Sequence, residues 1–237
     1  MDLPYCAHVV QNASTRALSC EAAALHQVVS GLYQSDLYRP SPCPPWTAGD
    51  LLCHILIATS RVRQALAEPA NDTAPLIGTV GYYQPDHRFS DATNADRIET
   101  AQALAARLSD PQAIAAEFER RCQDTLQLID EATGDRAVTT RHGDRMLLID
   151  FTTTRVVELA VHGLDLATAL SRTAWLTEPA AEVLEDLLIP DGSGPELRRR
   201  LGCDRAGLVA RLTGRAPLSA AESAVLADAD VVRLALG

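Results

Sequence analysis

The sequence contains no lysine, since all 21 of its basic residues are arginine. Schiff-base chemistry and every other use of a catalytic lysine are therefore excluded. Aromatic residues are also scarce, at 4% of the chain against 47% for hydrophobic residues as a whole. The core must then consist of aliphatic side chains and alanine, a composition that favours packing between helices over a β-sandwich.

Positive charge is in deficit as well, because 31 acidic residues outweigh the 21 arginines and leave a formal net charge of -10. Binding to nucleic acid requires clustered basic residues that neutralise phosphates, so no nucleic-acid partner is expected. No apolar run reaches the roughly 18 residues of a membrane span, and residues 1–6 lack the basic start and apolar centre of a signal peptide. We expect a cytoplasmic protein, a monomer or a homodimer, with no membrane partner.

The six cysteines are scattered along the chain, and no two of them form a Cys-x-x-Cys pair. This spacing excludes a zinc knuckle and a thioredoxin-type redox motif. In a chain expected to be cytoplasmic, we predict reduced thiols that lie mostly in the core.

Hydrophobic residues recur at helical spacing along five long segments. These segments predict helices over residues 13–33, 47–67, 91–108, 111–132 and 149–170. After residue 172 the pattern shortens, and it predicts helices over 178–188, 196–201, 206–213 and 219–226. The sequence therefore predicts a mainly α fold, with one helical domain over 1–170 and a small, mostly helical C-terminal region over 171–237.

Three of the connections between these helices have a distinct composition. The proline-rich segment 40–46 forbids helix and is predicted to be extended. The irregular segment 68–89 is long for a connection inside a domain, and such loops often form a lid or a pocket wall. Residues 137–148 contain two short apolar stretches on either side of a His-Gly-Asp turn, which predicts a hairpin or an extended excursion.

The segment 154–166 predicts an apolar helix that carries one narrow polar stripe. Glu158 and His162 lie four residues apart, and therefore one turn apart on the same face of a helix. Arg155 and Asp165 extend the stripe in both directions. Charged groups inside an apolar helical core are costly unless they are paired or bind a metal. The stripe predicts half of a metal site, with an ordinary solvated helix face as the alternative.

His54 is the candidate for a third ligand. It lies among leucine and isoleucine on the predicted second helix, where a hydrogen-bonded core histidine is the alternative interpretation. A set of two histidines and one glutamate suits a divalent metal that keeps open coordination positions.

Three segments of the chain resemble known proteins. Residues 46–54, WTAGDLLCH, resemble a segment of the DinB-like metalloenzymes. Residues 154–167, TRVVELAVHGLDLA, are similar to a more specific signature of the mycothiol-dependent maleylpyruvate isomerase family. Residues 212–218, LTGRAPL, resemble a shorter segment near the C-termini of many members of that family.

The resemblance implies a DinB-like up-and-down four-helix bundle followed by a smaller C-terminal region. It implies a divalent metal, usually Zn²⁺ with Ni²⁺, Fe²⁺ or Mn²⁺ as alternatives, bound by the residues that match His54, Glu158 and His162. It also implies mycothiol as cosubstrate or cofactor. The C-terminal region departs from the family, because it is shorter than the α/β domain of the isomerase itself, and the identity of the substrate therefore stays open.

A metal-activated thiolate would add to a small electrophilic substrate, with isomerisation and S-conjugation as the two outcomes. We predict that Asp165 orients a ligand or the thiol, and that Arg155 pairs with Asp165 or with a substrate carboxylate. A structural ion pair is the alternative role for these two residues. Tyr82 and Arg88 are predicted to line the substrate side of the site. The family analogy suggests that Arg215 contacts the thiol.

Two alternatives do not involve a thiol. The metal could act as a Lewis acid in an isomerase, cyclase or hydrolase of a biosynthetic intermediate. The protein could also be a metal-binding stress protein without turnover. The remaining histidines are more typical of surface or packing residues, although the last two lie in segments able to reach a pocket: His8, His26, His87 and His142.

Overall fold

The computed structural model describes residues 12–67, 69–132 and 135–236, and these ranges are mostly helical. The first part contains the helices α1 (Ala13–Ser30), α2 (Ala48–Ala67), α3 (Thr79–Tyr82), α4 (Asp91–Arg107) and α5 (Pro111–Glu131). A hairpin of β1 (Ala137–Thr139) and β2 (Arg145–Leu147) follows, and then α6 (Leu148–Leu170). The C-terminal part contains α7 (Glu178–Leu188), α8 (Gly194–Leu201), α9 (Arg205–Leu212) and α10 (Ala220–Ala227).

Local side-chain bonds fix where the first two long helices begin. The Asn12 side chain accepts a hydrogen bond from the Thr15 amide at the start of α1. At the start of α2, Asp50 accepts a bond from the Thr47 amide while the Thr47 hydroxyl accepts one from the Asp50 amide, which is the reciprocal pattern of a capping box. The predicted first helix extends to residue 33, but α1 ends at Ser30 because Gly31 terminates it.

Four long helices form the core, and each packs against two of the others. Helices α1 and α2 both lie against α5 and α6, and α4 covers another side of α2. The apolar faces of these helices are buried with little aromatic content, as the composition predicts. The predicted mainly α fold is confirmed, while the up-and-down order of a four-helix bundle stays a prediction.

The predicted hairpin is present and is antiparallel. Val138 pairs with Met146, and both side chains are buried against the helical core. Gly143 makes the turn with a φ of 87°, a conformation that glycine adopts without steric cost. Because the hairpin is anchored by its strands, the turn over residues 140–144 is held beside the helices.

The long connection between α2 and α4 is more ordered than its sequence predicts. It contains α3 and a single 3₁₀ turn over His87–Phe89. Tyr82, Tyr83 and Arg88 from this segment are buried, at 8%, 2% and 7% exposed. The connection therefore forms a wall of the interior rather than an open loop.

The C-terminal region packs on the helical core through α7, which lies against α1 and α6. The last segment returns to the core, where the Ala235 amide donates to the Tyr83 carbonyl over 2.9 Å. Helix α6 ends at Leu170, and Ser171 adopts a left-handed conformation there. The predicted domain boundary between residues 170 and 171 stays a prediction. None of the described helices has both the length and the apolar character that a membrane span requires.

Glu21 on α1 fastens the connection between α6 and α7. It is fully buried, and its Oε2 atom accepts bonds from the Thr177 amide over 3.0 Å and the Thr177 hydroxyl over 2.7 Å. Burial raises the pKa of this carboxyl above its ordinary value of 4.5, although the Thr177 bonds oppose the shift. At pH values between 4.5 and the raised pKa, the folded protein therefore retains a proton on Glu21 that the unfolded chain releases.

We predict that Glu21→Gln changes how stability depends on pH. A raised pKa in the folded state means that the stability contributed by Glu21 falls as pH rises from 4.5 through the raised value. Glutamine keeps an acceptor for Thr177 but cannot ionise, so the variant should gain stability relative to the wild type as pH approaches neutrality. Urea unfolding across this range measures the difference, with the exposed Glu99→Gln as control. A difference that does not change with pH would refute the prediction.

Candidate metal centre

The three predicted metal ligands lie together where α2 packs against α6. The Oε2 atom of Glu158 is 3.3 Å from Nε2 of His54 and 3.7 Å from Nε2 of His162. The three ligand atoms all lie within 4.8 Å of one another. These side chains are largely buried, with 9%, 17% and 12% of His54, Glu158 and His162 exposed.

The donor set fits a divalent metal ion. Two imidazole nitrogens face one carboxylate oxygen. Two nitrogens and one oxygen converging in a buried setting are the ligands found in catalytic zinc sites, which keep an open position. The other ring nitrogen of His54, Nδ1, has no hydrogen-bond partner among the described residues.

Charge and burial keep the ligands in the forms that bind metal. Burial lowers the pKa of His54 to about 4, so this imidazole is neutral at physiological pH. Burial alone would raise the pKa of Glu158, but the His54 hydrogen bond and the Arg155 and His162 charges together lower it well below its ordinary value. Neutral histidine and ionised glutamate are the protonation states that metal binding requires.

Asp165 orients His162 from the next turn of α6. Its Oδ2 atom lies 3.0 Å from Nδ1 of His162, so the proton on Nδ1 leaves Nε2 facing Glu158. Arg215 clamps the same carboxylate, with Nε 3.1 Å from Oδ1 and Nη2 3.2 Å from Oδ2. The Cys43 thiol also donates to Asp165, over 3.4 Å. Burial, with the Asp165 charge nearby, raises the pKa of this thiol to about 12 and keeps it protonated.

Two aromatic residues complete the surroundings of the ligands. The Trp46 ring lies against the His54 ring, with 4.7 Å between their centroids. The Tyr83 hydroxyl is 3.2 Å from Oε1 of Glu158 and 3.0 Å from the Thr154 carbonyl oxygen, and it can donate to either. The Tyr83 hydroxyl thus lies beside Oε1 of Glu158, the oxygen that does not face the histidines.

The structure excludes Asp165 as a partner of Arg155, while the pairing of Arg155 with a substrate carboxylate stays a prediction. The two residues lie ten positions apart on α6, and a helix rises about 1.5 Å per residue, so roughly 15 Å separates them along the axis. Arg155 is buried and donates instead to the Ala58 carbonyl over 3.0 Å and to the Thr154 hydroxyl. Its guanidinium also lies 4.8 Å from the centre of the Phe151 ring.

The predicted wall residues border a cavity that opens from the ligands. Tyr82 packs against Tyr83, with ring centroids 5.2 Å apart. Arg88 forms ion pairs with Asp86 and with Asp144, and so joins the 3₁₀ turn to the hairpin. The roles predicted for Tyr82, Arg88 and Arg215 in binding thiol or substrate stay predictions, since the structure establishes only their positions.

The cavity has a volume of about 640 Å³. This is within the range of sites that hold small molecules. Its wall contains six arginines and two carboxylates, drawn from the core helices, the hairpin turn and the C-terminal region: Arg61, Arg88, Arg97, Arg141, Arg155, Arg215, Glu158 and Asp165. Sequence reasoning missed Arg61, Arg97 and Arg141, because no local pattern marks them as neighbours.

The remaining histidines lie in different environments. His142 is half-buried and lines the cavity, in agreement with its place in a segment able to reach a pocket. Burial and the Arg141 charge lower its pKa to about 4. His87 is largely exposed, and His26 lies on α1 beside Ser30. His8 lies outside the described residues.

Comparisons with known proteins identify a family and a related fold. A family model described as the mycothiol maleylpyruvate isomerase N-terminal domain matches residues 18–167. A crystal structure of the mycothiol-dependent maleylpyruvate isomerase is 14% identical and has a TM-score of 0.54, with 86% of this chain and 88% of that chain covered. A single-histidine mutant of that isomerase is 12% identical over the same coverage, with a TM-score of 0.53. No curated protein matches the sequence.

The two structural likenesses, at such low identity, establish the fold alone. The family model establishes family membership, because it spans well over half of the chain. The matched range also contains all three residues of the candidate metal centre. The protein is therefore an enzyme that belongs to the mycothiol maleylpyruvate isomerase N-terminal domain family.

Proposed function

We propose that the protein is a metal-dependent isomerase that uses mycothiol to convert a small electrophilic substrate between cis and trans forms. The observation that carries the proposal is the convergence of His54, Glu158 and His162 at one end of a cavity large enough for a metabolite. The family assignment supplies mycothiol and the reaction class.

His54, Glu158 and His162 would hold the metal. With a divalent metal and the thiol bound, the site would supply a thiolate at neutral pH, whose reversible addition to a conjugated double bond permits rotation about that bond. Zn²⁺ suits the donor set, while Ni²⁺, Fe²⁺ and Mn²⁺ accept the same ligands. S-conjugation would use the same groups and differ only in retaining the adduct.

The residues around the ligands keep the site in one arrangement. Asp165 accepts the Nδ1 proton of His162 and so fixes both the tautomer and the ring orientation. Arg215 neutralises Asp165 and keeps its carboxylate ionised, since the His162 bond and the Arg215 bonds outweigh burial and lower the pKa of Asp165. Tyr83 holds the second oxygen of Glu158. The proposal includes a cytoplasmic location, and it leaves the choice between monomer and homodimer open.

The first test measures metal content. His162→Ala removes one of three ligands, so the purified variant should retain close to no divalent metal where the wild type retains about one ion per chain. Elemental analysis of both proteins provides the measurement, and His26→Ala, outside the cavity, is the matched control. Equal metal content in the wild type and His162→Ala would rule out the proposed site.

The second test concerns the orienting carboxylate. Asp165→Asn keeps an oxygen for the Nδ1 proton of His162 but loses the charge that pairs with Arg215. Loss of such an outer partner typically weakens metal binding or activity by about 10- to 100-fold. Competition with a chelator measures the affinity, with the exposed Asp130→Asn as control. An affinity unchanged by Asp165→Asn would show that the contact is only structural.

The third test concerns the thiol. Metal-loaded protein should bind mycothiol in calorimetry, and it should isomerise maleylpyruvate only when both metal and mycothiol are present. Product analysis separates isomerisation from S-conjugation, because only isomerisation regenerates the free thiol. If metal-loaded protein bound no mycothiol, the thiol-dependent function would be refuted in favour of Lewis-acid chemistry or metal binding without turnover.

A further inference from the structure

The charges on the cavity wall do not balance. Both carboxylates are engaged, since Glu158 faces the two histidines and Asp165 is clamped by Arg215. Arg88 is neutralised by Asp86 and Asp144. The remaining excess of positive charge therefore lies elsewhere on the wall.

Four cavity arginines have no carboxylate within 4.0 Å among the described residues: Arg61, Arg97, Arg141 and Arg155. Arg155 is buried and its bonds go to the Ala58 carbonyl and the Thr154 hydroxyl. The other three are less buried and lie on different elements, Arg61 on α2, Arg97 on α4 and Arg141 in the hairpin turn. Arg61 donates to the neutral Gln64 side chain over 2.7 Å. Arg141 donates through Nε to His142, over 3.1 Å. None of these three arginines forms a direct ion pair with a carboxylate of the described residues, although the whole chain is strongly acidic.

Arg97 is held in place before any ligand arrives. It donates to the Asn94 side chain over 2.5 Å and to the Arg88 carbonyl over 3.1 Å, and its guanidinium lies 5.5 Å from the centre of the Phe89 ring. A fixed guanidinium loses little entropy when it binds an anion.

Arg141 acts electrostatically on the other two arginines, and Arg97 acts on the candidate metal ligands His54 and Glu158. The Arg141 charge contributes to lowering the pKa of both Arg61 and Arg97, after the larger effect of burial. Arg97 also interacts electrostatically with Glu158. Three like charges that converge on one partly enclosed space repel each other, and an anion placed between them removes that repulsion.

We propose that Arg61, Arg97 and Arg141 form an anion subsite that binds a carboxylate of the substrate, away from the carbon that reacts near the metal ligands. Planar guanidinium groups bind the two oxygens of a carboxylate in a fork-like geometry. His142 borders the subsite as a neutral ring, because it accepts the Arg141 bond and its pKa is low. This inference rests on the proposed function and assigns the residues that select acidic substrates.

The experiment is calorimetry on full-length, metal-loaded protein with maleate as the probe and no thiol present. Arg97→Gln should weaken maleate binding by roughly tenfold or more, since hydrogen bonds to charged groups contribute on this scale. Arg61→Gln and Arg141→Gln should act in the same direction, and Arg97→Lys should lose part of the affinity. Arg63→Gln, on α2 but outside the cavity, is the matched control and should bind maleate as the wild type does.

Inorganic phosphate and butyrate are two further probes in the same calorimetry experiment. Phosphate that binds more tightly than maleate and depends on the same arginines would overturn the assignment to a carboxylate. Equal maleate affinity in the wild type and Arg97→Gln, with unchanged metal content and helicity, would overturn the subsite itself. Butyrate, with one carboxylate, should bind more weakly than maleate. Because no thiol is used, failure of mycothiol binding and failure of the arginine subsite give separate results.

Discussion

The carboxylate of Glu158 faces the Nε2 atoms of two histidines, and the buried contact between α2 and α6 brings these groups together. An isolated charge at this depth would be too costly to keep, so the surrounding structure must compensate it. Tyr83 and Arg155 do so from the wall formed by the long connection and from α6 itself. The fold is therefore organised around one stripe of α6, where each charged side chain meets a partner from a different element.

This organisation explains which parts of the fold the sequence predicts. Helical periodicity locates the long helices, and the spacing of four residues between Glu158 and His162 defines their shared face without further information. Helix ends are less certain, as α1 shows, because a local glycine stops it before its apolar pattern ends. The order found in the 68–89 connection depends on burial against α6, and a local pattern does not reveal that burial.

The site residues also divide into those that a local pattern predicts and those that come together only on folding. His54 could be predicted because a motif and an apolar helix coincide, whereas the partner of Asp165 could not, since Arg215 lies 50 residues further along the chain. Arg155 is expected to pair with Asp165 because both residues lie on the same stripe of α6. That expectation fails because ten residues of helix separate the two side chains along the axis. Arg97 and Arg141 could not be predicted because α4 and the hairpin turn come to line the same cavity only in the folded protein.

The family match ends at residue 167, but the cavity does not end there. Arg215 reaches back to Asp165 from the C-terminal region, and Ala235 and Leu236 line the cavity beyond the Tyr83 carbonyl. The candidate metal ligands and Asp165 thus lie within the family match, whereas the arginine that pairs with Asp165 comes from the C-terminal region. A change in the C-terminal region can therefore reshape the substrate space while His54, Glu158 and His162 stay in place. Within one family, the chemistry would then follow the helical core, and the choice of substrate would follow the arginines and the C-terminal segment.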